Sequence, residues 1–265
     1  MKRGPTGHVR PSRRWFGMPL LTLLVMAIAW AALSPTGASR AATDDDTEVA
    51  MRLANLLRAA RSVISNNQAL INDPDVGDKG LTGDKVLADA ILIYEAQTGE
   101  DPRDADPASR EGQLLQAQMD AILAVMAENQ PSINAPGIGF KGFIPAVFAR
   151  LVNENFNAAV GDLAMAKVTA PPELVRNRKA RPDDWEKTVI AEDFLAPGWE
   201  RGMAFSEIVD VEGRDAFRIL VPEYYGASCL SCHGEPAGEV DVTGYPKEGG
   251  KEGDLGAAIS ITLFK

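Results

Sequence analysis

The distribution of apolar positions divides the chain near residue 160. Met51, Leu53, Leu56, Leu57, Ala60, Val63 and Ile64 recur at steps of three and four residues, the spacing that lines one face of an α-helix. Similar runs cover Lys85–Gln97, Gly112–Asn129 and Pro145–Ala159, the last with proline in its first turn, where no helical N–H bond is lost. From Ala164 onward short β-rich runs take over: Ala166–Thr169, Met203–Val209, Ala216–Val221 and Ala257–Phe264. Val211-Glu212-Gly213-Arg214 predicts a tight turn between two of them. The pattern predicts an α+β fold, with a helical part at about 48–160 and a largely antiparallel sheet at about 164–265, its helices packed on one face.

The helical part contains an internal repeat. Residues 67–80, NQALINDPDVGDKG, return 62 positions later as residues 129–142, NQPSINAPGIGFKG, with eight of fourteen positions identical. Each copy lies between two helical runs, which predicts a duplicated helix–loop–helix. Asn and Pro are expected to end the first helix of each copy, and the glycines supply the positive φ of a turn. That turn chemistry is the preferred reading of the loops. The alternative has Lys79 and Lys141 reach outward to a bound group or a partner.

The first forty residues have a different character. Five basic residues, Lys2, Arg3, Arg10, Arg13 and Arg14, precede an apolar run from Trp15 to Leu33, and no acid occurs before Asp44. This is the layout of an export signal, with a small-residue cleavage site after Ala41, and residues 1–41 are expected to be removed. The apolar run also approaches the length of a membrane span, so retention of residues 15–33 as an anchor is the alternative. A short acidic linker, Thr43 to Glu48, is expected before a single domain over 42–265.

Composition sharpens this. The chain holds 27 basic and 37 acidic residues; without residues 1–41 these become 21 and 37, a net charge near −16. Such a surface disfavours nucleic acid and anionic lipid and favours a basic partner. Membrane contact is expected only if the N-terminal segment is kept.

The chemistry is concentrated in Cys229-Leu230-Ser231-Cys232-His233, which contains both cysteines of the chain. Two residues between the thiols put both on one side of a helical turn, and the next residue is an imidazole. This is the attachment signature of a c-type haem: Cys229 and Cys232 bind the porphyrin and His233 binds the iron. A redox disulfide would leave His233 without a role, and a structural zinc site needs one ligand more than these three. Because c-type haem is attached after export, the protein is expected in the periplasm. Ser12-Arg13-Arg14-Trp15-Phe16 resembles a twin-arginine signal, but an ordinary basic n-region is preferred, since attachment requires a chain that is still unfolded.

With His8 in the signal, His233 is the last imidazole, so bis-histidine ligation within the chain is excluded. The far side of the iron is left to the thioethers of Met51, Met119, Met126, Met165 or Met203, to a lysine, to water or to nothing. Methionine would raise the potential, whereas an open site would admit NO, CO or O₂. Tyr224 and Tyr225 precede the motif. Each could donate to a haem propionate or bound ligand, or pack its ring on the haem face with its hydroxyl in solvent.

Together with three surrounding segments, the motif resembles a family of single-haem c-type cytochromes and haem sensors with a PAS-like fold. It has cyanobacterial and proteobacterial members and was long known only as a domain of unknown function. The segments are Arg176-Asn177 with Arg181-Pro182-Asp183-Asp184-Trp185-Glu186, Cys229–Gly234 itself, and Gly244-Tyr245-Pro246 with Gly253–Ser260. The resemblance spans about residues 50–265 and implies one haem between the helices and the sheet. Some members supply a second iron ligand from a cysteine in the early helix, but the corresponding stretch here, Ala60 to Ile71, has none. The expected function is one-electron transfer to a redox partner protein, or sensing of redox state or a diatomic gas. The chain carries no recognisable output region, which places electron transfer slightly ahead. A haem enzyme, a peroxidase or small-molecule reductase, is the alternative; it would need a distal acid–base group that is not histidine.

Overall fold

A computed structural model describes residues 36–265, with side chains from Asp45 onward. Residues 1–35, which carry the basic and apolar stretches of the expected export signal, lie outside the described residues. Among those described, no helix is long and apolar enough to cross a membrane.

The helical half consists of α1 (Thr36–Asn66), a single turn α2 (Gln68–Ile71), α3 (Gly83–Thr98), α4 (Arg110–Ile133) and α5 (Pro145–Val160). Thr82 and Ser109 cap α3 and α4 by accepting N–H bonds from the first turn, and Gly99 closes α3 in the left-handed conformation. The stretch from Thr43 to Glu48 is not the expected linker but part of α1. It contains no Pro or Gly to break the helix, and Asp46 is buried against Arg110, at 3.4 Å, and Lys265.

In the repeat, asparagine and proline follow the last helical turn of each copy as expected, Asn72 with Pro74 and Asn134 with Pro136. The first copy has α1 end at Asn66 and α2 run on to Ile71, whereas in the second α4 continues past the expected Asn129 and through Pro131 to Ile133. The Asn67 and Asn129 amides each donate to the carbonyl four residues back, at 2.8 Å. Termination comes at the second asparagine of each copy, for a long-range reason. Asn134 accepts the Lys79 N–H at 3.1 Å, and Asn72 accepts the Lys141 N–H at 3.0 Å. The two loops thus cap each other reciprocally. Both lysine ammonium groups turn back onto carbonyls of their own loops, Lys79 onto Asp73 and Val76, and Lys141 onto Ala135.

The sheet has four antiparallel strands, β1 (Ala164–Thr169), β2 (Phe205–Val211), β3 (Arg214–Tyr224) and β4 (Leu255–Phe264), in the order β1-β4-β3-β2. Glu212 and Gly213, with φ of 56° and 84°, make the two-residue turn between β2 and β3. Phe217, Ile219 and Val221 of β3, with Ile259, Ile261 and Leu263 of β4, face the helical half and join its core. The opposite face is covered too. There α6 (Asp184–Val189) and a π turn (Ile190–Phe194) pack Val189, Ile190 and Phe194 on Leu220 and Ala258. A capping box, Asp183 with Glu186, starts α6, and both carboxylates also bind Arg218 of β3. Residues 37–265 form one compact unit.

Candidate functional site

The end of β3 delivers the motif. After Tyr224 the chain makes a 3-10 turn, Ala227–Cys229, and a short helix α7 (Leu230–His233), so Cys229 and Cys232 stand one helical turn apart and both are free. The turn meets the helical half directly. The Ser65 hydroxyl lies 3.4 Å from that of Ser228, and Glu223 receives Arg58 and Arg61 at 2.5 and 2.7 Å. The motif therefore sits where the last turns of α1 meet the sheet.

Residues 234–254 fold back over His233. The Gly250 N–H donates to the His233 carbonyl at 2.8 Å, the Gly253 N–H donates to the Tyr225 carbonyl, and the Tyr225 N–H donates to the Asp254 carbonyl. Within this return Val240 bridges to Pro246, and Asp241 accepts the N–H groups of Thr243 and Tyr245. Arg176, between β1 and α6, ties the pieces together. Its guanidinium donates to Asp241 at 2.6 Å, to both oxygens of Glu248 at 2.8 and 3.0 Å, and to the Cys232 carbonyl at 2.8 Å. The Asp241 side chain is fully buried. Burial alone would raise the Asp241 carboxyl, but the Thr243 and Arg176 hydrogen bonds outweigh it and hold the group well below the ordinary carboxylate range. Glu248 is likewise held low, against its own burial, by Arg176 and His233.

Glu248 also fixes the imidazole. Its Oε2 lies 2.9 Å from His233 Nδ1, so the ionised carboxylate accepts the Nδ1–H and sets the tautomer in which Nε2 carries the lone pair. Among the described residues, Nε2 has no hydrogen-bond partner. Tyr225 stacks on the ring, centroids 4.9 Å apart and planes at 21°, with its hydroxyl 3.3 Å from the same Nδ1. Two glycines admit the tyrosine: a Cβ at Gly256 or Gly250 would fall 2.2 or 2.7 Å from its ring atoms. Burial, and then the charge of Glu248, push the Tyr225 phenol up to about 12, so it stays protonated. Burial also pushes the Cys232 thiol up.

The two tyrosines that sequence could not tell apart turn to different tasks. Tyr225 packs on the imidazole itself, with its hydroxyl at Nδ1 and not in solvent. Tyr224 accepts the Gly202 N–H at 3.2 Å and lies under the Arg201 guanidinium, clamping the segment before β2.

The five thioethers are widely scattered. Met119 and Met126 are core side chains of α4. Met51 is fourteen residues before Ser65 on α1, about 21 Å along the helix. Met165 pairs with Thr262, seven residues along β4 from the Leu255 that pairs with Tyr224, about 23 Å. Met203 is half exposed and follows the Gly202 that binds Tyr224, which makes it the one of the five placed at the motif's end of the sheet.

A family model described as Tll0287-like matches residues 39–263, and the match takes in the helices, the sheet and the CxxCH turn. The chain belongs to the Tll0287-like family. No curated protein and no solved structure is similar enough to match. Within the Tll0287-like region, Arg176, the capping box at Asp183 and the segments around Tyr245 and Gly256 converge on the motif's loop or on the sheet that carries it. The early-helix stretch, Ala60 to Ile71, meets the motif through Ser65 and the neighbouring arginine pair, without a cysteine.

Among the described residues, no group of three or more His, Cys, Asp or Glu is arranged to hold a metal ion. Haem asks for less from the protein, two thiols and one oriented imidazole, and the residues present fit it: paired free thiols on one turn, and a histidine whose Nδ1 is engaged and whose Nε2 is unengaged. The sequence reading missed Glu248 and Asp241 altogether and gave Arg176 no role. No periodicity or motif marks the two acids, and only the fold brings Arg176 to them.

Proposed function

We propose that the protein carries one covalent haem c, bound through Cys229 and Cys232 with His233 as proximal ligand, and that it transfers single electrons outside the cytoplasm. The observation that carries this reading is the oriented His233, whose Nδ1–H is given to Glu248 while Nε2 has no partner among the described residues, on a turn with two free thiols. Each thiol would add across a vinyl group, forming one C–S and one C–H bond with nothing leaving. The bound group supplies a one-electron couple at iron, and the protein's part is to hold the ring and the proximal imidazole. The basic n-region and apolar run before Ala41 support delivery to the periplasm, where such haem is attached. The acidic chain favours a basic redox partner, with steering screened beyond about 8 Å at physiological salt.

A second reading is a distal side open to a diatomic gas. It is supported by the part of α1 that meets the motif, which presents Ser65 beside Arg61 and no thioether. A haem enzyme, a peroxidase or small-molecule reductase, belongs to the same open-site class, with Arg61 as a candidate charged group.

Spectra of protein produced with a c-type maturation system, ferric and ferrous, with and without CO, test these readings. Covalent haem lost in Cys232→Ala, with low-spin spectra that CO leaves unchanged, is the expected result for an electron carrier. Prompt CO binding would shift the assignment to the open-site readings, and absence of covalent haem in the wild type would end the proposal.

A further inference from the structure

Resting on that haem reading, we propose that Glu248 is the positioning residue of the proximal side and that it lowers the reduction potential by accepting the His233 Nδ1–H as a carboxylate. An imidazole bonded through Nδ1–H to a charged acceptor is more strongly polarised than one bonded to a neutral carbonyl or hydroxyl, and it donates more electron density to the metal on its other nitrogen. Extra donation stabilises ferric iron more than ferrous, so the couple moves down.

Three features of the structure make this arrangement specific. Arg176 grips both oxygens of Glu248, at 2.8 and 3.0 Å, so the carboxylate cannot swing away from the ring. The same guanidinium binds the Cys232 carbonyl, which registers Glu248 against the attachment turn. Tyr225 stacks on the imidazole and fixes its plane, while its hydroxyl, 3.3 Å from Nδ1, is the neutral partner the nitrogen would turn to without the carboxylate. Glu248 therefore sets the charge on the histidine and Tyr225 its orientation.

The test uses full-length, matured protein and three variants: Glu248→Gln, Glu248→Asp and Tyr225→Phe. Covalent haem content is measured first, then the midpoint potential by spectroelectrochemistry. The expected result is equal haem loading throughout, a potential clearly raised in Glu248→Gln, a smaller rise in Glu248→Asp, and little change in Tyr225→Phe. Haem present with the Glu248→Gln potential at or below that of the wild type would overturn the inference while leaving the haem proposal standing. No haem in the wild type would instead remove the haem proposal. Should Glu248→Gln fail to fold, NMR of the wild type with isotope-labelled histidine decides: a slowly exchanging, strongly hydrogen-bonded Nδ1–H supports the assignment, and a weakly bonded one refutes it.

Discussion

The helical half and the CxxCH end of the sheet are held together by different physics. The helices share one apolar core with the inner face of the sheet, spread over many fully buried side chains from Ala50 to Leu263. The CxxCH turn is held instead by a few charged groups, among which one guanidinium binds two carboxylates and a backbone carbonyl. A distributed core loses stability in proportion to what is removed. A hub of charge fails at one residue, and its failure is local.

Phe217→Ala probes the first kind of stability and has the largest expected effect. Phe217 is fully buried where the sheet meets the helices, so truncation should cost about 4 kcal/mol, read as a lower urea midpoint with helices and sheet unfolding together. Arg176→Met probes the second. It leaves Asp241 and Glu248 without their cation, and loss of one partner of a buried pair costs about 3 kcal/mol. Hydrogen exchange should accelerate at Gly249, Gly250 and Gly253 while amides in the middle of α4 keep their protection. Equal acceleration in α4 would show that the two regions are one cooperative unit and would break the comparison.

Acid should separate the regions without a mutation. Asp241 and Glu248 are both depressed from ordinary values of 3.8 and 4.5. A depressed carboxylate contributes stability that is fully present above its unfolded pKa and is lost as pH falls through its folded one. The return loop should therefore begin to loosen below about pH 4 in the apoprotein, followed by exchange at the same glycines. Asp101, held at about 2 chiefly by its Arg103 hydrogen bond, adds acid sensitivity to the helical half, but outside its apolar core. The core amides should respond last.

The same contrast explains what the sequence could disclose. Helices and strands are written in local periodicity, and each expected run of both halves has its counterpart in the structure. The CxxCH turn could be located because its five residues are contiguous. Glu248 and Arg176 were not, because they are 72 residues apart and meet only after β1, β3 and β4 have paired. The α6 capping box was a readable signal: Asp183 and Glu186 have the spacing that starts a helix, and the element they start covers the second face of the sheet. At the repeats the terminating residue types were legible, but the end of α4 lies four residues beyond the expected Asn129. Asn72 and Asn134 also accept an N–H from the facing loop, and no local rule reveals that.

That reciprocal clasp gives the smallest expected effect and the sharpest use of the repeat. Symmetry of sequence suggests that Asn72→Ala and Asn134→Ala should behave alike, but the contacts differ. Asn72 receives the Lys141 N–H, whereas Asn134 receives the Lys79 N–H and also bonds the Gln130 and Asp78 side chains. With a net hydrogen bond at about 1 kcal/mol, Asn134→Ala should cost that or somewhat more and Asn72→Ala somewhat less, measured by urea denaturation. The double variant should lose less than the sum of the two, because once either cap is gone the facing loops no longer hold the other in register. Strict additivity would mean that the two loops are capped independently, and that the duplication stabilises each hairpin separately.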